Sequence, residues 1–78
     1  AHAQASIDLH GMTRMEAISA LDAFLNDAML AGLAEVRVVH GRSGGLVKSA
    51  VHARLDLFAS VQGFRLDPRN PGVTIVCL

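Results

Sequence analysis

The stretch VVHGRSGGLVKSAV, residues 38–51, decides the fold. Two β-branched residues run into His40, three glycines fall within residues 41–45, and apolar residues then recur at helical spacing from Leu46. That is strand, tight turn and helix, the joint from which parallel sheets are built. Such a turn also invites an anion, because a helix start leaves amides without intrahelical partners and carries the positive end of the dipole. The residues do not spell a nucleotide loop. A Walker loop needs glycine directly before Lys-Ser, and here Val47 precedes Lys48 and Ser49. No G-x-G-x-x-G fingerprint is present either, and 78 residues is short for a complete nucleotidase.

Working outward, AEVRVVH before the turn is short and β-branched and reads as a strand. After it, Leu46 to Ser60 reads as a helix with Val47, Val51, Leu55 and Phe58 on its buried stripe. Upstream, SIDLH alternates apolar Ile7 and Leu9 with polar Ser6, Asp8 and His10, as a half-buried strand does. GMTRMEA then opens a helix, with Thr13 and Glu16 at capping-box spacing. Its stripe is Ile18, Leu21, Leu25, Ala28 and Met29, and Gly32 is its stop. Downstream, GFRLD is a third strand, PRNPG a turn, and VTIVCL a last strand apolar enough to be central.

The order is βαβαββ. Strand–helix–strand units imply parallel strands joined by right-handed crossovers, and the short turn over 67–72 brings the last strand back antiparallel. With both crossovers stepping the same way, both helices cover one face. The expected fold is an α/β two-layer sandwich, a four-stranded mixed sheet with two helices on one face. Ile7, Leu9, Phe64 and Leu66 then point to the helices, and Asp8, His10 and Arg65 to the open face. Residues 1–5 are assigned to a disordered or linker segment and 6–78 to the single domain.

Composition narrows the function classes. About half of the chain (51%) is hydrophobic, so it can pack a core, and with three Phe, no Trp and no Tyr that core is aliphatic. The lone Cys77 excludes an internal disulfide and suits a reducing, cytoplasmic setting. No apolar run reaches the ~20 residues of a membrane span, so no membrane partner is expected. Formal net charge is zero, yet residues 37–54 hold Arg37, Arg42, Lys48 and Arg54 without an acid. That segment is either a solvated face or a surface for an anionic partner.

Ligands on open α/β sheets gather outside the carboxyl ends of the parallel strands. Both of those strands end in the dipeptide His-Gly, at His10–Gly11 and His40–Gly41. If the strands are neighbours, two imidazoles share one rim with the Gly-rich turn, and histidine can move protons near neutral pH. Asp8 lies on the same strand face as His10, where it is an ordinary exposed carboxylate or one that accepts a hydrogen bond, polarises water or takes part in binding a metal. No HExxH, CxxC or paired-carboxylate set accompanies them, so no metal site is assigned and no cofactor is expected, with the requirement for a divalent metal left open. His52 falls on a flank of the second helix, and Cys77 reads as a small buried hydrophobe. With no aromatic stacking platform, a nucleic acid would be held mostly by its backbone.

Three blocks, IDLHGMTRMEA (7–17), VRVVHGRSGGLVK (36–48) and GVTIVCL (72–78), together resemble the signature of the Smr, or small MutS-related, domain. The resemblance covers almost the whole chain. It implies a fold similar to the C-terminal domain of translation initiation factor three, and an endonuclease acting on DNA or RNA. The match looks closest to Smr domains that end larger, second-class bacterial MutS-like ATPases. The family's motif positions fall on Asp8, Leu9, His10 and Gly11; on His40, Gly41, Arg42, Ser43, Gly44 and Gly45; on Lys48; and on Gly72, Thr74 and Val76. Ser43 stands at a usual glycine and Lys48 at a usual arginine.

The expectation is therefore phosphodiester cleavage. Asp8, His10 and His40 are the candidate proton-transfer group. Gly41, Arg42, Ser43, Gly44, Gly45 and Lys48 form the candidate phosphate cradle, with Gly11, Gly72 and Thr74 as structural motif positions. The alternatives are a non-catalytic nucleic-acid-binding module, and a domain whose open sheet face docks a protein.

Overall fold

The computed structural model describes residues 5–41 and 45–78. Within them the chain runs β1 (Ala5–Asp8), α1 (Arg14–Leu30), β2 (Glu35–Val39), α2 (Leu46–Leu57), β3 (Gly63–Asp67) and β4 (Asn70–Cys77). Apart from Ala5, which belongs to β1, the expected linker lies outside the described residues.

The capping box forms at α1. Thr13 Oγ1 accepts from the Glu16 amide at 3.2 Å, and Glu16 Oε1 accepts from the Thr13 amide at 3.0 Å. These bonds hold the Glu16 carboxyl below its ordinary range. Replacing Thr13 by alanine is expected to cost about 1 kcal/mol, read as a lower urea midpoint with an unchanged slope. At the other end Gly32 takes φ +74, the left-handed step that stops the helix.

The four strands are ordered β1-β2-β4-β3, with β1 parallel to β2 and β4 antiparallel to both neighbours. β4 is therefore central, as its apolar run demands. The second crossover skips one place and β4 fills the gap, so β3 shares the direction of β2 without touching it.

Alternation sorts the side chains. Leu9, Val36, Val38 and Val76 face the helices and pack with Ala17, Leu21, Leu25 and Ala28 of α1 and Val51 and Leu55 of α2; Ile7 and Phe64 join them at the margin. The α1 stripe is thus rotated from the one expected, since Met29 is exposed and Ala17 is buried. α2 ends at Leu57 rather than Ser60, because Phe58 turns to extended backbone and packs against the core. Leu66 shares the parity of Phe64 but is 38% exposed, at the margin of edge strand β3.

On the open face Ile75 pairs with Arg37 on one side and Arg65 on the other, and is only 7% exposed. Long arginine stems flank it as snorkelling side chains do. The face presents the ion pairs Arg37–Asp67 and Arg65–Glu35 rather than an apolar patch.

Candidate functional site

The carboxyl ends of β1 and β2, the β3–β4 turn and the start of α2 share one rim. Asp8 pairs with Val39 across the parallel ladder, and Val73 lies on the other side of Val39. The Gly72 carbonyl accepts the amides of both His40 (2.9 Å) and Gly41 (3.1 Å), tying β2's exit to the start of β4. Gly41 has φ +91, and a Cβ there would lie 3.3 Å from the Cβ of His10. Only glycine suits this left-handed, crowded position, and the contact places the two strand ends side by side. Gly11 and Gly45 also take left-handed φ, +81 and +75. Gly45 is the N-cap of α2, with no side chain capping the first turn.

His10 and His40 do not occupy equivalent positions. The register that pairs Asp8 with Val39 sets Leu9 beside His40 and His10 beside Gly41. A one-residue offset in a sheet reverses the face. His40 follows Val36 and Val38 toward the helices and is 4% exposed, whereas the His10 side chain is 69% exposed.

Asp8 organises the outer histidine. Its Oδ1 accepts the His10 amide at 3.0 Å and lies 2.7 Å from His10 Nδ1. The ring bond first, then the backbone bond, holds the Asp8 carboxyl below the usual carboxylate range. With Nδ1 occupied by the carboxylate, Nε2 of His10 is the nitrogen left for a ligand. A carboxylate that orients an exposed imidazole is an arrangement with the chemistry to move a proton.

His40 is engaged at both nitrogens. Nδ1 lies 3.0 Å from the Gly41 carbonyl, and Nε2 lies 2.8 Å from Oγ1 of the fully buried Thr74. The same hydroxyl is 2.8 Å from Nε2 of His52 on α2. The two rings meet edge to face at 5.8 Å, and His52 rests on Phe64 at 4.9 Å. Burial first, then His40 and Lys48, push the His52 imidazole below its ordinary value of 6.5, with Asp56 opposing. A depressed histidine contributes stability that is complete above the unfolded value and lost as pH falls through the folded one. The melting temperature is therefore expected to drop below pH 6.5, and His52→Phe to flatten that drop, in melts on either side of this pH.

The basic segment does not form one patch. Arg37 pairs with Asp67 on the open face, and Arg54 grips Asp22 of α1 through two bonds of 2.8 Å. Lys48, in the first turn of α2, makes no ion pair with the described residues. Arg42, Ser43 and Gly44 of the expected cradle lie outside the described residues. Arg69 joins the rim instead: it sits in the turn between β3 and β4, held by its amide on Asp67 Oδ1 at 2.8 Å. Among the described residues no three His, Cys, Asp or Glu side chains converge to hold a metal ion, and no helix is long and apolar enough to cross a membrane.

A profile of the Smr domain matches residues 7–78. The chain belongs to the Smr domain family. This Smr domain is 37% identical over 71 residues to the endonuclease MutS2 of Clostridium tetani, covering 91% of this chain and 9% of that protein. It is 40% identical over 73 residues to the endonuclease MutS2 of Acetivibrio thermocellus, covering 90% of this chain and again 9% of the relative. The chain thus spans 9% of the length of these curated relatives. Among solved structures, the Smr domain of Thermus thermophilus MutS2 superposes with a TM-score of 0.92 at 32% identity, over 95% of this chain and 96% of that one. YdaL, a stand-alone small MutS-related protein of Escherichia coli, also gives 0.92, at 26% identity, over 99% of this chain and 66% of that one. The resemblance carried by the three sequence blocks and the two-layer fold are both borne out.

Three residues at or beneath this rim escaped the sequence reading in their present contacts. Thr74 was a motif position whose partner only the β2–β4 register reveals. His52 precedes Leu55 by three residues, and that spacing is the signal that puts it at the edge of the buried stripe. Arg69 lies in a recognisable turn, but only the central position of β4 brings that turn to the rim.

Proposed function

We propose that this Smr domain is an endonuclease module that cuts or nicks the phosphodiester backbone of DNA or RNA, as part of a larger MutS-like protein that selects the substrate. The single observation that carries this reading is the Asp8–His10 pair, exposed at the rim where the start of α2 offers its amides. His10 Nε2 takes the proton from the attacking oxygen while Asp8 fixes the ring; as the new P–O bond forms the scissile P–O bond breaks, and the leaving oxygen takes its proton from water. Lys48, Arg42 and the first amides of α2 take the charge that develops on the phosphate. Arg69 holds the strand from the opposite side of the rim. His40, buried with both nitrogens engaged, serves the site by fixing Gly41 rather than by meeting the substrate. The names of the MutS2 relatives support the activity class.

The test is incubation of the purified chain with supercoiled plasmid and with end-labelled RNA, with and without a chelator, followed by end-group analysis. Cleavage is expected. A 5′-phosphate marks attack by water and a 2′,3′-cyclic phosphate marks attack by the substrate's own 2′-hydroxyl. Salt-sensitive binding without any cut product would overturn the catalytic reading and leave a docking module.

A further inference from the structure

The Gly41 carbonyl can only accept a hydrogen bond, so His40 must carry its hydrogen on Nδ1 to make the 3.0 Å contact. In the neutral ring Nε2 is then bare, and the 2.8 Å contact to Thr74 requires the hydroxyl to donate. A hydroxyl has one hydrogen. Having spent it on His40, Thr74 Oγ1 can only accept from His52, again at 2.8 Å, so His52 must carry its hydrogen on Nε2. One fixed end sets the direction of every bond in the row. The two imidazoles are opposite tautomers, and no buried side-chain polar atom among the described residues is left without a partner.

We propose that Thr74 and His52 are positioning residues for the rim: together they hold His40 as the neutral Nδ1–H tautomer, and His40 in turn pins the Gly41 carbonyl at the exit of β2. The row runs inward from α2, through the hydroxyl on β4, to the exit of β2. It couples the helix that starts at the rim to the strand that ends there. Protonating both rings breaks it, because both Nε2–H groups would then need the Thr74 oxygen and the hydroxyl hydrogen would lose its acceptor. Among the described residues, the charged and titratable groups that act on His52 are His40 across the hydroxyl and Lys48 and Asp56 on its own helix, and β3 contributes the Phe64 ring.

The tautomers are read directly by long-range nitrogen–proton NMR of the imidazoles of the intact 78-residue chain at neutral pH. The expected pattern is Nδ1–H for His40 and Nε2–H for His52. The same tautomer at both rings, or Nε2–H at His40, overturns the proposal. Thr74→Val keeps the side-chain shape and removes the hydroxyl; Thr74→Ser restores it. The valine variant is expected to lose the single-tautomer signal of His40 and to speed amide exchange at Gly41, and the serine variant to recover both. His52→Phe is expected to loosen Gly41 in the same way, and His52→Gln, which keeps an N–H donor, to spare it. Unchanged His40 signals and Gly41 exchange in both Thr74→Val and His52→Phe would overturn the positioning role.

The functional consequence rests on the nuclease reading. KM for cleavage is expected to rise about threefold to tenfold in Thr74→Val, the scale of one lost hydrogen bond, with kcat little changed. Because the NMR and exchange readouts need no nucleic acid, a chain that shows the tautomers yet never cuts overturns the function and not the row.

Discussion

Replacing His10 by alanine is expected to slow strand cleavage by about 10²–10⁴-fold, the contribution of a positioned proton-transfer group. The size of the effect follows from the register. One residue of offset between β1 and β2 sends His40 inward and leaves His10 outside, with 69% of its side chain exposed. Asp8 holds Nδ1 at 2.7 Å, so the substrate meets Nε2 in a fixed orientation. Asp8→Asn is expected to fall between wild type and His10→Ala, because an amide oxygen can still accept from the ring but holds it by a weaker bond than a carboxylate does. An exposed side chain contributes little to packing, so melting temperature should change little and salt-dependent binding should persist. Single-turnover cleavage with parallel anisotropy binding measures both. Full cleavage by His10→Ala would remove the proton-transfer pair from the mechanism.

Leu25→Ala is expected to cost about 2–5 kcal/mol, the range for truncating a buried leucine. At roughly 0.05–0.15 kcal/mol per residue a domain of this size holds only about 4–12 kcal/mol in all. One cavity therefore takes a large share of the fold's stability. Leu25 is fully buried on α1 within the layer that Val36 and Val76 close from the sheet. Leu30, on the same helix but 88% exposed, is the control, and its alanine variant should stay within about 0.5 kcal/mol of wild type. Urea unfolding followed by circular dichroism separates the two. Equal midpoints for Leu25→Ala and wild type would contradict this core assignment.

Local chemistry was legible because it is written in neighbouring residues. Thr13 and Glu16 predict their reciprocal bonds at three residues' spacing, Ile7 and Leu9 predict the buried face of β1, and the apolar run at 73–78 predicts a central strand. Non-local geometry was not. Alternation says which face a residue takes but not which strand lies beside it, so the skipped place in the second crossover left no trace. The repeated His-Gly dipeptide suggested two equivalent histidines, yet equivalence depends on register, which no dipeptide encodes. Thr74 is polar within an apolar strand, a sign that something inside must bond it. Which groups those are depends on Thr74 lying opposite Val38, two residues before His40. The basic segment misled for the same reason: Arg37 and Arg54 are neighbours of the rim in sequence, while Asp67 and Asp22 neutralise them in space.

β4 supplies the middle of the sheet although it is the last strand of the fold, and this sets an order of assembly on the ribosome. Without β4 the sheet order leaves a parallel β1–β2 pair and a separate β3 with no ladder between them. Val73, Ile75 and Val76 must arrive before β2 and β3 have the strand that lies between them. Sheets completed by such distant pairing gain their reward late, after the cost of closing the chain has been met. Truncation at residue 73 or earlier is therefore not the trimming of an edge: it divides the sheet in two and takes the Thr74 hydroxyl with it.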